Sequence, residues 1–417
     1  MKRTVLISAM LIAATAAVFA TGSKEAPAGD KELVINSYMS DEKPKAVFQG
    51  VVESFQKANP DIKVTVNTIA HEQFKTQLAS WLTSSSAPDV VTWFAGYRMQ
   101  AFAEKGLLEP IDTVFPGGDI NKEFPAAFKV ASSYQGKVYF MPQSWYWWAV
   151  YYNKDVFAKY KLTPPKTWDE FMKVCEVLKA NGVAPIAVGA KDTWTTGGWF
   201  DLLDSAVNGG DFHAQLTGGK VAYTDPRVKK SLGIIADLSK KGYFIDNATS
   251  LSWQESVKPL AEGKAGMYLM GQFIMDTVPT ETRGSIDFFP FPIYGGNTKY
   301  TVDTPTDGFM LPAKAKNKEA AKKFLAFLAT KEQQQAFCAP LGRLAANINV
   351  PVPNAEAERG LAMVKGAAFA AQFYDRDAPE EMAAKGLNAI LDIMANPGNL
   401  DTILADLDKE RVRIYEK

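Results

Sequence analysis

Short apolar strands alternate with amphipathic helices along the first third of this chain of 417 residues. Strand patterns occur at Leu33–Asn36, Ile62–Val66 and Asp89–Trp93, and helical spacing of apolar residues occurs between them at Val47–Ala58 and His71–Leu82. Strands that are joined through helices usually run parallel, because each crossover returns the chain to the same end of the sheet. The pattern therefore predicts an α/β fold in which a mostly parallel sheet carries helices on its faces.

A second alternation of strands and helices begins near residue 136. Thr167 and Glu170 have the spacing of a capping box before a predicted helix at Trp168–Ala180. Most of the last part of the chain is predicted to be helical, with one continuous helix over Glu356–Phe373. Because a single hydrophobic core rarely serves more than about 250–300 residues, the length predicts two domains.

The N-terminus has the layout of a secretory signal peptide. Lys2 and Arg3 precede an apolar segment, and Val18–Ala20 offers residues that a signal peptidase accepts. The apolar segment is shorter than the roughly 20 residues that cross a bilayer. We therefore expect residues 1–20 to be a cleaved leader and residues 21–30 to be a flexible tail on a soluble periplasmic protein. No cysteine lies near the expected cleavage site, so we do not expect a lipid anchor.

Composition and motifs argue against several functional classes. Lys plus Arg and Asp plus Glu are balanced at 46 each, which gives no basic field for nucleic acid or an anionic membrane. His71 and His213 are too far apart for a zinc motif, and the sequence has no phosphate-binding loop or nucleophile elbow. We expect no metal, no cofactor and no catalysis. Cys175 and Cys338 are predicted to be free, buried thiols.

Tryptophans are concentrated in one region, since six of the nine lie between Trp145 and Trp199. The segment Trp145–Trp148 holds four consecutive aromatic side chains, which cannot all face one core because side chains alternate along an extended strand. One interpretation is that some of them line a cavity for a neutral ligand, such as a sugar whose C–H face lies on an indole. The alternative is that these tryptophans join two sheets in a core.

Seven segments occur in an order and spacing that resemble one known family. They are FQKANPDIKV at 55–64, APDVV at 87–91, FAEKGLLEPID at 102–112, YNKDVF at 152–157, PPKTWDEF at 164–171, AEGKAGMYLM at 261–270, and residues 307–329. In these segments the chain is similar to the extracellular solute-binding proteins of carbohydrate ABC importers, the group that contains maltose-binding protein. The resemblance extends over nearly the whole chain after the leader.

The resemblance implies a two-lobed periplasmic binding protein fold of type II with a hinge between the lobes. We expect one lobe to comprise residues 31–144 and 302–350, and the other residues 145–301 and 351–417. It also implies a monomer that captures a sugar or oligosaccharide and delivers it to the permease subunits of an ABC transporter in the inner membrane. The alternatives are a secreted carbohydrate-active enzyme and a binding protein for a solute other than a sugar.

Candidate sugar contacts come from the resemblance and from side-chain chemistry. By their position in the family pattern we expect the following residues to face the cleft: Trp93, Tyr97, Arg98, Gln272, Asp307 and Arg343. Tyr146 stands where the maltose-binding relatives present an acidic residue, which argues against a maltose-like set of hydrogen bonds. By chemistry we add Trp145, Tyr146, Trp147, Trp148, Asp192, Trp194, Trp199 and Trp253.

Overall fold

Two main β-sheets, each covered by helices, organise the computed structural model, which describes residues 31–371 and 373–416. The predicted leader and tail, residues 1–30, lie outside the described residues. One hydrophobic core is built from residues 33–141 and 309–346, and the other mainly from residues 146–302 and 357–407. We call the half built on the six-stranded sheet the first lobe and the half built on the four-stranded sheet the second lobe. The predicted α/β fold class is confirmed.

The sheet of the first lobe has six strands, and its two halves differ in strand direction. Three strands lie side by side and parallel, as the N-terminal alternation predicted: Lys31–Ser37, Ile62–Thr68 and Val90–Phe94. The other three are antiparallel to their neighbours: Thr306–Met310, Phe140–Trp145 and the short Leu344–Ala345. The register pairs Asp307 with Phe94, so residues from distant parts of the chain meet at one end of the sheet.

The sheet of the second lobe has four strands, in the spatial order Ile286–Phe289, Trp148–Asn153, Ala265–Gly271 and Ala184–Ala187. The last pair is parallel and the other two are antiparallel. Both sheets are therefore mixed, which corrects the expectation of mostly parallel sheets. The reason is connectivity. The strands Trp148–Asn153 and Thr306–Met310 begin between the two sheets, because the chain has just crossed from the other lobe. Neighbouring strands end between the two sheets, so these pairs are antiparallel.

Helices cover the faces of both sheets. Those of the first lobe are Glu42–Ala58, His71–Thr83, Tyr97–Glu104, Ala126–Ser132, Lys318–Ala329 and Lys331–Leu341. Those of the second lobe are Lys154–Lys159, Trp168–Ala180, Trp194–Asn208, Gly210–Thr217, Pro226–Lys240, Val257–Ala261, Ile274–Thr277, Ala355–Gly366, Tyr374–Asp377, Glu380–Ala395 and Leu400–Tyr415. Two small strand pairs accompany them: Ser133–Tyr134 with Lys137–Val138, and Thr301–Asp303 with Phe369–Ala371. Within the described ranges, no helix has the length and apolar character to cross a membrane.

The continuous helix predicted over Glu356–Phe373 is interrupted. It ends at Gly366, and the N–H of Ala368 donates instead to the carbonyl of Tyr300 at 2.8 Å. The residues that follow, Phe369–Ala371, form a strand beside the segment that leads into the first lobe. Pairing with a distant strand therefore overrides the local helical pattern here.

Helix caps are more closely tied to local sequence. The capping box predicted for Thr167 and Glu170 is confirmed, with each side chain accepting from the other residue's backbone N–H. The helix Lys331–Leu341 begins after Thr330, whose hydroxyl accepts from the N–H of Gln333. Such caps satisfy backbone donors that have no partner within the first turn of a helix.

Both cysteines are free and buried, as predicted. Cys338 belongs to the core of the first lobe and Cys175 to that of the second. Burial raises the pKa of both thiols, that of Cys338 to about 12. They therefore stay protonated and pack as small apolar side chains.

Candidate ligand-binding site

A cavity of about 360 Å³ lies between the two lobes, where strands of both sheets begin or end. From the first lobe it is lined by the residues that follow the first strand, Tyr38–Asp41, and by the start of the helix His71–Thr83. Crevices outside the carboxyl ends of strands are the usual ligand sites of α/β proteins. The volume is near the lower end of the range of about 300–1,000 Å³ for small-molecule sites.

Five tryptophan and phenylalanine side chains of the second lobe line the cavity: Trp148, Trp194, Trp253, Phe273 and Phe373. We call them the aromatic cup. Phe273 is its centre, since the ring centroids of Trp253, Trp194 and Trp148 lie 5.2, 6.1 and 6.4 Å from its own. The ring planes of Trp253 and Phe273 meet at 84°, and those of Trp148 and Trp194 at 87°. The rings therefore surround a space and do not form a flat platform.

Arg376 connects the second lobe to the first across the cavity. Its guanidinium carbon lies 4.0 Å from the ring centroid of Phe94, and its N–H groups donate to Asp307 at 3.1 Å and to the hydroxyl of Tyr146 at 3.2 Å. Burial raises the pKa of Tyr146 above its usual range, so the hydroxyl stays protonated. A fixed cation, a carboxylate and a hydroxyl thus lie beside the aromatic cup, where they can bind the hydroxyl groups of a neutral ligand.

Asp276 forms ion pairs with two cations of the first lobe. One carboxylate oxygen lies 3.2 Å from Nζ of Lys43, and the other lies 3.1 Å from the guanidinium of Arg343. Asp276 belongs to the short helix Ile274–Thr277, which directly follows Phe273. The same turn therefore positions both the centre of the aromatic cup and these ion pairs.

One histidine lies between two buried carboxylates next to the segment that carries Arg376. Nε2 of His213 is 3.1 Å from Asp201, and Nδ1 is 2.9 Å from Asp204. Burial by itself lowers the pKa of His213, but the two adjacent carboxylates raise this pKa to about 10. Asp201 also accepts the N–H of Tyr374 at 3.0 Å, where the short helix with Arg376 begins. A buried, charged histidine thus supports one wall of the cavity.

The buried carboxyl of Asp303 lies within reach of the charges of Asp201 and His213 in the same cluster. Its side chain is fully buried, and neither carboxylate oxygen has a hydrogen-bond partner among the residues that the structure describes. Burial raises its pKa well above the usual range, and the charge of Asp201 raises it further. Asp303 therefore keeps its proton at pH values at which an exposed aspartate is ionised.

Half of the predicted contact residues line the cavity. They are Tyr146, Trp148, Asp192, Trp194, Trp253, Asp307 and Arg343. The carboxylate of Asp192 accepts the backbone N–H of Trp253 at 3.1 Å, and burial raises its pKa above the usual range. That these side chains bind a sugar stays a prediction.

The structure does not bring the other seven to the cavity: Trp93, Tyr97, Arg98, Trp145, Trp147, Trp199 and Gln272. Trp93 is buried in the core of the first lobe, because its neighbour in the strand, Phe94, takes the face toward the cavity. Arg98 covers Trp93 at 4.9 Å and pairs with Glu380 of the second lobe at 3.2 Å. Tyr97 lies on the surface with 38% of its side chain exposed.

The remaining four have packing or backbone contacts. Trp147 and Trp199 are buried in the core of the second lobe, where Trp147 packs beside Phe288. Trp145 and Gln272 each donate a side-chain N–H to a backbone carbonyl of the first lobe, at 3.1 Å in both cases. Outside the cavity, the bond of Gln272 joins the two lobes, whereas that of Trp145 lies within the first lobe.

Sequence reasoning missed several lining residues. Tyr38 follows the first strand and His71 begins the helix after the second, so the rule that strand ends carry ligand sites could have found both. Phe273 follows the predicted contact Gln272 by one residue. Phe373 and Arg376 had no comparable signal, since Phe373 ends a stretch with a helical pattern, Arg376 follows that stretch, and both lie far in sequence from the rest of the site.

Comparison with known proteins identifies the family. Residues 40–335 match the family described as bacterial extracellular solute-binding protein. A solved structure of the bacterial solute receptor AcbH, described as having an exclusive preference for β-D-galactopyranose, is 32% identical with a TM-score of 0.87. That match covers 93% of this chain and 100% of the other. The GacH receptor of Streptomyces glaucescens, solved with and without acarbose, is 18% identical with a TM-score of 0.78, and the match covers 93% and 99% of the two chains.

Relatives known from sequence agree with this assignment. An uncharacterised ABC transporter extracellular-binding protein of Pyrococcus horikoshii is 29% identical over 314 residues, which are 74% of this chain and 70% of that protein. The multiple sugar-binding protein of Streptococcus mutans is 22% identical over 325 residues, 76% and 75% of the two chains. The two-lobed fold of type II periplasmic binding proteins is confirmed. Since the family match spans more than half of its length, the chain belongs to the bacterial extracellular solute-binding proteins.

Proposed function

We propose that this protein captures a neutral sugar in the cavity and delivers it to the permease of an ABC transporter. The observation that carries the proposal is the aromatic cup opposite Asp307 and Arg376. The C–H faces of a sugar ring can lie on indole rings, while its hydroxyls donate to carboxylates and accept from guanidinium groups. Relatives named as sugar-binding proteins and as ABC transporter components support both halves of the proposal.

The charges around the cavity argue against an anionic solute. Its lining contains the carboxylates of Asp41, Glu72, Asp192, Asp276, Asp307 and Asp375, but only three Lys or Arg side chains, which are Lys191, Arg343 and Arg376. A surplus of negative charge repels an anion from a concave site. The composition of the lining therefore favours a neutral ligand.

We also propose that the lobes, residues 31–144 with 302–350 and residues 145–301 with 351–417, close on the ligand by rotation at the crossing segments. The ion pairs Asp307–Arg376 and Asp276–Arg343 support this, because both join the two lobes beside the cavity. A ligand that contacts both lobes binds the closed form better and so increases its population. We expect the permease to recognise this closed form.

Sugar capture is expected to change tryptophan fluorescence and to raise the unfolding temperature, because three tryptophans line the cavity and the ligand binds the folded state. At a sugar concentration about 100 times Kd, the stabilisation is about 2.7 kcal/mol. Titration of the purified protein against mono- and oligosaccharides measures both changes. We expect one sugar molecule to bind to each protein monomer, and the sugar recovered after binding should be chemically unchanged. Shortened products would show a carbohydrate-active enzyme, and no response to any sugar would contradict the proposal.

Export is proposed to occur through removal of residues 1–20 as a leader, without a lipid anchor. The basic start, the apolar stretch and Val18–Ala20 support this. N-terminal sequencing of the protein recovered from the periplasm is expected to begin near Thr21. An intact Met1, or a lipid on the exported protein, would contradict it.

A further inference from the structure

The shape of the aromatic cup and the ion pairs between the lobes both limit the length of a bound sugar. We propose that the cavity holds one pyranose-sized ring, so that the ligand is a monosaccharide, and that Asp276 with its two cations enforces this limit. This inference rests on the proposed function, since it specifies which sugars the site accepts.

The aromatic cup presents its rings around one space. The centroids of Trp148 and Trp194 are 6.1 Å apart with planes at 87°, and those of Trp194 and Trp253 are 6.4 Å apart with planes at 62°. An oligosaccharide that stacks on several aromatic rings needs them in a row with their faces exposed to one side. Indoles that meet edge to face do not form such a row. A second sugar unit therefore has no further aromatic face on which to stack.

The ion pairs of Asp276 join the two lobes beside the cavity, and both Asp276 and Arg343 line it. The side chains of Asp276 and Arg343 are only 5% and 11% exposed, so their hydrogen bond at 3.1 Å is shielded from water. Separating a buried pair leaves both charges without a partner, which is strongly unfavourable. Lys43, whose side chain is 37% exposed, adds a second cation to the same carboxylate.

Other contacts between the lobes border the cavity as well. Gln254 donates to Asp41 at 3.1 Å, and Lys75 lies 3.5 Å from Asp375. A second sugar unit has to pass between the lobes and separates at least one of these contacts. A monosaccharide leaves all of them in place, so it benefits from full closure of the lobes while a longer sugar does not.

The length limit can be measured by calorimetric titration with galactose, glucose, mannose and xylose, followed by the α- and β-linked di- and trisaccharides of the sugar that binds best. We expect the monosaccharide to bind about 100-fold more tightly than its oligomers, which corresponds to about 2.7 kcal/mol. A di- or trisaccharide that binds as tightly as the best monosaccharide would overturn the inference and leave sugar capture intact. If no sugar of any length binds, the proposed function fails and the inference fails with it.

The variant Asp276→Ala tests whether Asp276 sets the limit on sugar length. We expect the ratio of monosaccharide to disaccharide affinity to fall by about tenfold, because the variant opens the margin of the cavity and weakens the closed form. Asp406→Ala is the matched control, since it removes an exposed ion pair with Lys409 on the helix Leu400–Tyr415. Its ratio should equal that of the wild type. An unchanged ratio in Asp276→Ala would overturn the role of Asp276, and Lys43→Ala provides a milder variant if that protein does not fold.

Discussion

Trp148→Ala is expected to lower sugar affinity by about 100-fold and to destabilise the protein by roughly 3–5 kcal/mol. Both effects follow from the position of Trp148, which lines the cavity although only 2% of its side chain is exposed. Its ring lies 4.9 Å from that of Phe373, and a β-carbon at Gly198 would come within 2.6 Å of it. Truncation therefore removes part of the aromatic cup and leaves a void in the core of the second lobe.

Trp147→Ala separates the two effects, because Trp147 is equally buried but does not line the cavity. Its indole packs beside Phe288 and against Gly360. We expect a comparable loss of stability in urea unfolding, with sugar affinity close to that of the wild type in calorimetric titration. Equal losses of affinity in both variants would show that Trp148 acts only through packing. Trp148→Phe, which keeps an aromatic ring, is the variant of choice if Trp148→Ala unfolds.

The segment Trp145–Trp148 shows what sequence could and could not predict about the site. Alternation along an extended strand requires that its side chains point in two directions, and they do. Which two face the cavity depends on how the chain crosses from one lobe to the other after Trp145, and no local pattern encodes that crossing. Tyr146 and Trp148 line the cavity, whereas Trp145 and Trp147 contact other parts of the protein.

Helix geometry explains why two tryptophans of one helix have different surroundings. Trp194 and Trp199 both belong to the helix Trp194–Asn208, and both were predicted as sugar contacts. Five residues on a helix correspond to a rotation of about 140° beyond a full turn, so the two side chains leave the helix on different sides. Trp194 lines the cavity and Trp199 packs in the core. Periodicity predicts that they diverge, but the side that faces the cavity is decided by tertiary packing.

Arg376 is the clearest residue that sequence could not reveal. It meets Asp307, which is 69 positions away, and Tyr146, which is 230 positions away. Its short helix follows a strand that exists only because Thr301–Asp303 pairs with it. Contacts of this kind depend on the assembled fold. In contrast, the α/β class, the two-lobed fold and the Thr167 cap follow from local patterns or from family resemblance, and these were predicted.

Asp303→Asn is expected to raise the free energy of unfolding at pH 7, by at most about 4 kcal/mol, which is the limit set by the interval between pH 7 and the unfolded pKa of an aspartate. In the unfolded chain an aspartate ionises with a pKa of about 3.9, whereas the folded protein holds the proton on Asp303 to a higher pH. The folded state therefore binds more protons than the unfolded state above about pH 4, and its stability falls as the pH rises. Asparagine has a similar shape and no proton to lose. The gain from the substitution should consequently be larger at pH 8 than at pH 5.

His213 adds a second pH dependence that the substitution leaves in place. Its folded pKa of about 10 lies above the unfolded value of about 6.5, so its ion pairs stabilise the fold fully below about pH 6.5 and are lost as the pH rises through 10. Both groups thus make the wild type less stable toward alkaline pH. In Asp303→Asn, the decline that begins near pH 4 should be reduced, while the contribution of His213 above about pH 6.5 remains.

Asp204→Asn is the matched contrast, because it changes another buried carboxylate of the same cluster with the opposite expected sign. Asp204 accepts from Ser231 and Asn208, both at 2.7 Å, and pairs with His213 at 2.9 Å. Removing one partner of a buried ion pair costs roughly 3–5 kcal/mol, so this variant should unfold at a lower urea concentration. Urea unfolding of both variants at pH 5 and pH 8 compares them directly. If Asp303→Asn destabilises the protein equally at both pH values, the carboxyl of Asp303 must be ionised and held by favourable contacts in the folded state.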